Sequence, residues 1–442
     1  MTEAWQQAPH SYLVLTQLGW VAYQQQRYTE AVRWFEQALA LNPVGVAAAD
    51  GMTVSGIAMG NEALKETWMV HKARMEGKDA QRSLAQMWVQ RGRKFSQNGD
   101  YPHAIVAYEQ ALAMRRVIGD RAGEGATLTN LGWAYGALSQ YERAIAYHEQ
   151  ALAIAREVKN RAGEGTTLNN LGLAYAALNQ YERAIDYYEQ ALVIRREVKD
   201  RRGEGVTLDN LGRAYGYAAL SQYERAIGYH EQSLAIAREV KNRVGEGAAL
   251  TNLGRAYMAL SQYERAIGYF EQALALQREA KARGGESSTL NNLGITYQAL
   301  GQYERAIGYY EQALAIRREV KDRDGEGSTL NNLGITYQAL GQYEWAIGYY
   351  EQALAIRREV KRRVGEGITL NNLGRAYRAL GQYERAIDYH EQALAIAREV
   401  KHRAGEGTTL TNLGVTYQAL GQYEWAMSYE SREMLGIMDT LR

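Results

Sequence analysis

The chain has 442 residues, 46% apolar and 23% charged, so it can bury a core without staples, and the absence of cysteine excludes disulfides, thiol catalysis and thiolate metal sites. Lys and Arg number 51 against 50 Asp and Glu; the net charge of +1 removes the broad electrostatic case for a nucleic-acid binder and leaves only a local patch open. No apolar run approaches the roughly 18 residues of a membrane span, and the opening MTEAWQQAPH lacks a secretory pattern, so a cytoplasmic protein without membrane insertion is expected.

In chain order, LGWVAY (Leu18 to Tyr23) and YTEAVRWFEQALALNP (ending at Pro43) read as a helical hairpin. A weaker hairpin is predicted over 44–84, with Gly60 and Asn61 as its turn, and a third over about 85–120, where Gly92, Phe95, Tyr101, Ala104 and Ala111 keep the packing spacing. From residue 121 the phrase NLG recurs at Asn130, Asn170, Asn210, Asn252, Asn292, Asn332, Asn372 and Asn412, in steps of 40 residues with one of 42. The expected division is therefore three divergent hairpins in 1–120 and eight near-identical units in 121–442, the last diverging after Glu424.

One unit runs RVGEGITLNNLGRAYRALGQYERAIDYHEQALAIAREVKH from Arg363 to His402. Leu370, Leu373, Tyr377 and Leu380 recur at spacings of three and four and predict a first helix, with Gly374 where a side chain would hold the neighbouring helix away. Tyr383, Ala386, Ile387, Ala393 and Ile396 predict a second, and Gly381 with Gln382 makes the break between them. Asn160, Asp200, Asn242 and Asp322 suit N-caps, which leaves Gly123 and Gly125 serving either close packing in a first helical turn or an extended bend. Neither helix hides its apolar face alone, so the hairpins must stack into an all-α solenoid.

Leu373, Gly374, Tyr377, Ala386 and Ala393 resemble the packing positions of a tetratricopeptide repeat. The DRxGEG and NLG phrases resemble those of the Leu-Gly-Asn repeat-enriched modulator of G-protein signalling, and Thr369 to Leu373 resembles the TLNNL of kinesin light chain repeats. The resemblance implies a right-handed superhelix that acts as an interaction scaffold, with first helices lining a concave groove for an extended peptide. The Lys of the heat-shock type of carboxylate clamp is missing from this chain.

On a helical wheel Ile368, Asn371, Arg375 and Arg378 point away from the Leu370 side, with Asn372 on a flank. The column of Asn372 is Asn in all eight units, Asn130 to Asn412, and has two readings: a ladder of amides holding a peptide backbone, or hydrogen bonds inside the solenoid. The next column varies through Trp133, Leu173, Arg213, Arg255, Ile295, Ile335, Arg375 and Val415. One turn further come Gly136, Ala176, Gly216, Met258, Gln298, Gln338, Arg378 and Gln418. Arg213, Arg255, Arg375 and Arg378 beside apolar floor positions, with Asp209 the one acid in the adjoining column, favour a partner carrying carboxylates and apolar anchors; solvated arginines with no partner are the other reading.

Outside the groove, Glu391, Gln392, Arg398, Glu399 and Lys401 read as a solvated mixed-sign face. Trp345 and Trp425 replace the Arg found at Arg305 and Arg385, either as a second contact ridge or as packing. The stretch Gly216 to Ala219 carries two extra residues that must bulge or extend its helix, and Met434, Leu435, Ile437, Met438 and Leu441 predict end-to-end or dimeric association. His148, His230 and His390 share one position with Tyr188, Phe270, Tyr310 and Tyr350, which reads as packing rather than a metal or acid–base site. No phosphate-binding glycine loop or singled-out carboxylate pair occurs, so no enzyme, no metal and no cofactor are expected. The alternatives to a peptide scaffold are a self-associating structural solenoid and a regulatory arm for a separately encoded signalling partner.

Overall fold

The computed structural model describes residues 11–42, 46–61, 64, 69, 70, 73, 77–216 and 222–429, and these contain helices and turns with no strand. The C-terminal segment carrying Met434 to Leu441 and the inserted residues after Gly216 lie outside the described residues. The chain divides into two compact units, 1–203 and 204–442. No helix among the described residues is long and apolar enough to cross a membrane.

In the first unit the helices are Tyr12–Gln24, Tyr28–Leu41, Val46–Ala58, Lys78–Gln97 and Tyr101–Ile118, followed by the regular pairs Arg121–Ala137 with Tyr141–Glu157 and Arg161–Ala177 with Tyr181–Glu197. In the second unit, Tyr223–Glu239 is followed by Arg243–Ala259 with Tyr263–Glu279, Arg283–Ala299 with Tyr303–Glu319, Arg323–Ala339 with Tyr343–Glu359, and Arg363–Ala379 with Tyr383–Glu399, then Arg403–Ala419. The boundary between the units falls inside Arg201–Gly216. Within a unit the regular first helices among the described residues pack on the second helix of their own hairpin, the second helices pack on the next first helix, and several successive first helices also touch.

Local chemistry sets the helix ends. Asn160, Asp200, Asn242 and Asp322, the N-caps expected from sequence, each accept the backbone N–H of the glycine three residues on, and Asp120 caps its helix in the same way. Gly123 therefore lies within the helix, and a Cβ there would stand 2.1 Å from the Asp120 carboxylate. Among the described residues the turn inside a hairpin passes through a left-handed residue: Gly381 has φ +71°, and Ser139 takes the same role at +59°. Leu370 and Leu373 are fully buried, as their spacing predicts, and Tyr188, Tyr310, Tyr350, Phe35 and Phe270 are among the largest fully buried side chains.

The glycine of NLG is where the two helices of a hairpin approach. A Cβ on Gly334 would lie 2.4 Å from the Tyr350 ring, and one on Gly374 would lie 2.5 Å from the His390 ring. The shared His, Tyr or Phe position thus fills the space that the glycine leaves.

Candidate functional site

The first-helix face is built from three columns. The Asn ladder is half-buried to buried, and in the second unit it hydrogen-bonds backwards by one repeat. Nδ2 of Asn252 donates to Asp209 at 2.9 Å, Asn332 to Asn291 at 3.2 Å, Asn372 to Asn331 at 3.2 Å and Asn412 to Asn371 at 3.0 Å. Asn210 is buried. Asn130, Asn170 and Asn292 stand one repeat beyond Val89, Thr129 and Thr251, and their amides make no side-chain hydrogen bond among the described residues.

The acceptors form a column that the helical wheel misplaces. Asn371, expected to point away, is buried: its Oδ1 lies 2.7 Å from Nδ1 of His390, and its Nδ2 donates to Thr409. The correction has a physical cause, since the wheel of one helix ignores the next repeat, which covers this side. Asp209 holds the same place in its repeat, 2.9 Å from Nδ1 of His230. Burial pushes its pKa up, but the His230 hydrogen bond and charge, with Asn252 and Arg213, outweigh that and hold it below the usual value.

The variable columns divide by exposure. Trp133, Leu173, Arg213, Arg255, Arg375 and Val415 are exposed, whereas Ile295 and Ile335 are half-buried. One turn on, Gln298 and Gln338 are half-buried, and their Oε1 atoms accept the hydroxyls of Tyr310 and Tyr350; Gln418 is exposed. In the repeat from Arg363, Arg378 takes the glutamine's place and His390 the tyrosine's. Arg378 is half-buried, its Nη1 has no hydrogen-bond partner, and burial and the Arg375 charge push its pKa down. Neither Arg375 nor Arg378 makes an ion pair among the described residues. A cleft of about 230 Å³ is lined by Arg375 together with Val364, Ile368, Asn372, Thr408 and Asn412. A second, of about 270 Å³, is lined by Arg213, His230, Asn252, Arg255 and Met258.

Sequence reasoning missed the glutamate of GEG. Glu326 is buried, receiving Nε of Arg318 at 2.8 Å and Nη1 of Arg323 at 2.5 Å, and Arg323 continues to Glu359 of the following second helix. Glu124, Glu164, Glu286 and Glu366 are held alike. The face expected to be merely solvated is therefore partly paired: Glu399 binds Arg363, and Arg398 binds Glu406. The signal was present in the presence of Glu in every GE phrase. This network links repeats and offers no open coordination position. No group of three or more metal-binding side chains occurs among the described residues.

His148, His230 and His390 sit in the packing column. Burial pushes His148 down to about 4, and burial with the charges of Arg378 and Arg375 pushes His390 down to about 3.

The apo form of the quorum sensor NprR from B. thuringiensis superposes with a TM-score of 0.55 at 15% identity, over 80% of this chain and 98% of that one. A signal transduction ATPase with numerous domains and a tetratricopeptide repeat sensor, from Pyrococcus horikoshii, gives 0.58 at 14% identity, over 78% of this chain and 53% of that one. Both share the fold. A putative kinesin light chain with nearly identical repeats from Podosopora anserina is 26% identical over 44% of this chain and 96% of that one, with a TM-score of 0.39. Among curated proteins none matches the sequence. The tetratricopeptide repeat pattern matches residues 83–157, 163–219, 215–279, 285–359 and 366–432, and a second pattern of the same description matches 12–43. With well over half of its length matched in this way, the chain belongs to the tetratricopeptide repeat family.

Proposed function

We propose that the chain is a non-enzymatic protein-interaction scaffold whose first-helix face receives an extended segment carrying carboxylates beside apolar side chains. The observation that carries this reading is the pair Arg375 and Arg378. The two arginines are one turn apart on the first helix without a counter-ion among the described residues, and Arg375 lines a cleft edged by Val364 and by Ile368, which is 46% exposed. Like charges this close repel, and a carboxylate between them relieves that repulsion while accepting charge-assisted hydrogen bonds. Arg213 and Arg255 line the other cleft and supply a second basic position. Amides already engaged between repeats have less to offer a ligand, so backbone contacts fall first to Asn292, Asn130, Asn170 and the exposed Gln418.

The test is affinity capture from the source cell lysate with the intact chain and with Arg375→Glu/Arg378→Glu, read by mass spectrometry. A partner retained by the intact chain and lost from the variant supports the scaffold. Equal capture by both, or no partner together with a concentration-dependent oligomer, contradicts it and favours self-assembly.

A further inference from the structure

In six repeats the third residue of the second helix is an arginine that does one job. Arg143, Arg183, Arg225, Arg265, Arg305 and Arg385 lie over the tyrosine ring of their own first helix at 5.0–5.7 Å, and each donates to the glutamine that precedes its helix. That tyrosine in turn stacks on a tyrosine of the second helix, as Tyr297 does on Tyr309 at 5.2 Å. At Trp345 the arginine is gone. The indole takes its place over Tyr337, 6.1 Å away and tilted by 25°, and remains 64% exposed.

The exchange changes the chemistry of the surface. Trp345 and Tyr349 wall a cleft of about 680 Å³, with the buried Leu314 lining it. Two exposed carboxylates, Glu311 and Glu344, line the same cleft and make no ion pair among the described residues. The cation there, Arg318, is engaged by Glu326 at 2.8 Å. An aromatic face, an apolar lining and two uncompensated carboxylates match a cation carried on an aliphatic stem: the ring attracts the charge, and the glutamates pair with it.

We propose that this cleft between the helices Tyr303–Glu319 and Tyr343–Glu359 docks an arginine or lysine side chain from a basic segment of a partner protein. The partner's cation would lie against the exposed face of the indole, which in this repeat stands over the tyrosine where six repeats carry an arginine of the chain itself. This site is separate from the Arg375 and Arg378 face and carries the opposite charge preference.

The variant Trp345→Arg tests it with little risk to folding, because the chain itself places Arg at this position in equivalent repeats. The probe is a fluorescein-labelled, blocked peptide of alternating Arg and Ala, titrated with the full chain and read by anisotropy, beside a peptide with neutral citrulline in place of Arg. The expected result is saturable binding of the Arg peptide alone, weakened about tenfold or more by Trp345→Arg and several-fold by Glu311→Gln/Glu344→Gln. Raised salt should weaken it, and Trp425→Arg or Arg375→Glu/Arg378→Glu should leave it unchanged. Absence of Arg-peptide binding, equal binding of the citrulline peptide, or full binding by Trp345→Arg would overturn the proposal. So would sedimentation showing that Trp345→Arg dissociates a dimer while the peptide does not bind, since the occupant would then be a second copy.

Discussion

Asn372 donates from Nδ2 to Oδ1 of Asn331, its neighbour in the preceding repeat, at 3.2 Å. Asn372 is 8% exposed, so this bond is made where little water can replace it. In a solenoid the interfaces between neighbouring repeats carry much of the cooperativity, and a side-chain bond placed there stabilises two repeats at once.

Asn331→Ala should therefore lower stability by about 1–2 kcal/mol, because it removes the acceptor of Asn372 and one of the two acceptors within reach of the Thr369 hydroxyl, the other being the Gly365 carbonyl. Asn292→Ala should cost less than about 0.5 kcal/mol. Urea denaturation of the two variants checks this directly; equal costs would mean that the ladder positions are structurally equivalent. A triple alanine variant at Asn292, Asn332 and Asn372 would mix destabilisation with loss of binding, which makes Asn292→Ala the cleaner probe of a ligand role.

Gly334→Ala should destabilise by about 2–3 kcal/mol, since the added Cβ meets the Tyr350 ring, itself fully buried. Pairing it with Tyr350→Leu should recover part of the loss. Thermal unfolding of the single and double variants measures the coupling, and simple additivity would show that the close approach is not the cause.

Much of the repeat was legible because it depends on neighbours three or four residues apart. Leu370, Leu373 and Tyr377 fell on the buried side by period alone, and Asn160 and Asp322 could be recognised as caps from their place before the helix. What escaped depends on partners a repeat away. Asn371 reads as outward on its own helix but is covered by Thr409 and Asn412, and Glu366 reads as an exposed first-turn acid but is enclosed by Arg358 and Arg363. At the candidate site the arginines were legible as residue types. The absence of a counter-ion among the described residues, and the use of Gln298 and Gln338 by buried tyrosines, depend on contacts between helices that the helical period does not carry.

Acid should weaken the first unit through His148. Its folded pKa, about 4, is below the ordinary 6.5, so the unfolded chain takes up the proton first, and stability falls as pH drops from about 6.5 towards about 4. The slope is at most about 1.4 kcal/mol per pH unit for this residue. His148→Phe, which copies Phe270, should flatten that slope in pH-dependent urea melts while leaving the fold unchanged; an unaltered slope would refute the assignment.

Glu164 acts in a lower window. Burial raises its pKa, but the hydrogen bonds and charges of Arg156 and Arg161 outweigh this and hold it below the usual 4.5. Its stabilisation is present above that value and is lost as pH falls through the depressed folded value. Glu164→Gln should cost about 1–2 kcal/mol at neutral pH and less near pH 3, so the two melting curves should converge on acidification.

The most direct test of the groove is selection from a randomised peptide library on the intact chain and on Arg375→Glu/Arg378→Glu, followed by sequencing of the retained peptides. The account predicts that the intact chain enriches peptides with Asp or Glu beside large apolar residues and that the variant loses this enrichment. No enrichment by the intact chain, or the same acidic peptides retained by both, would contradict it.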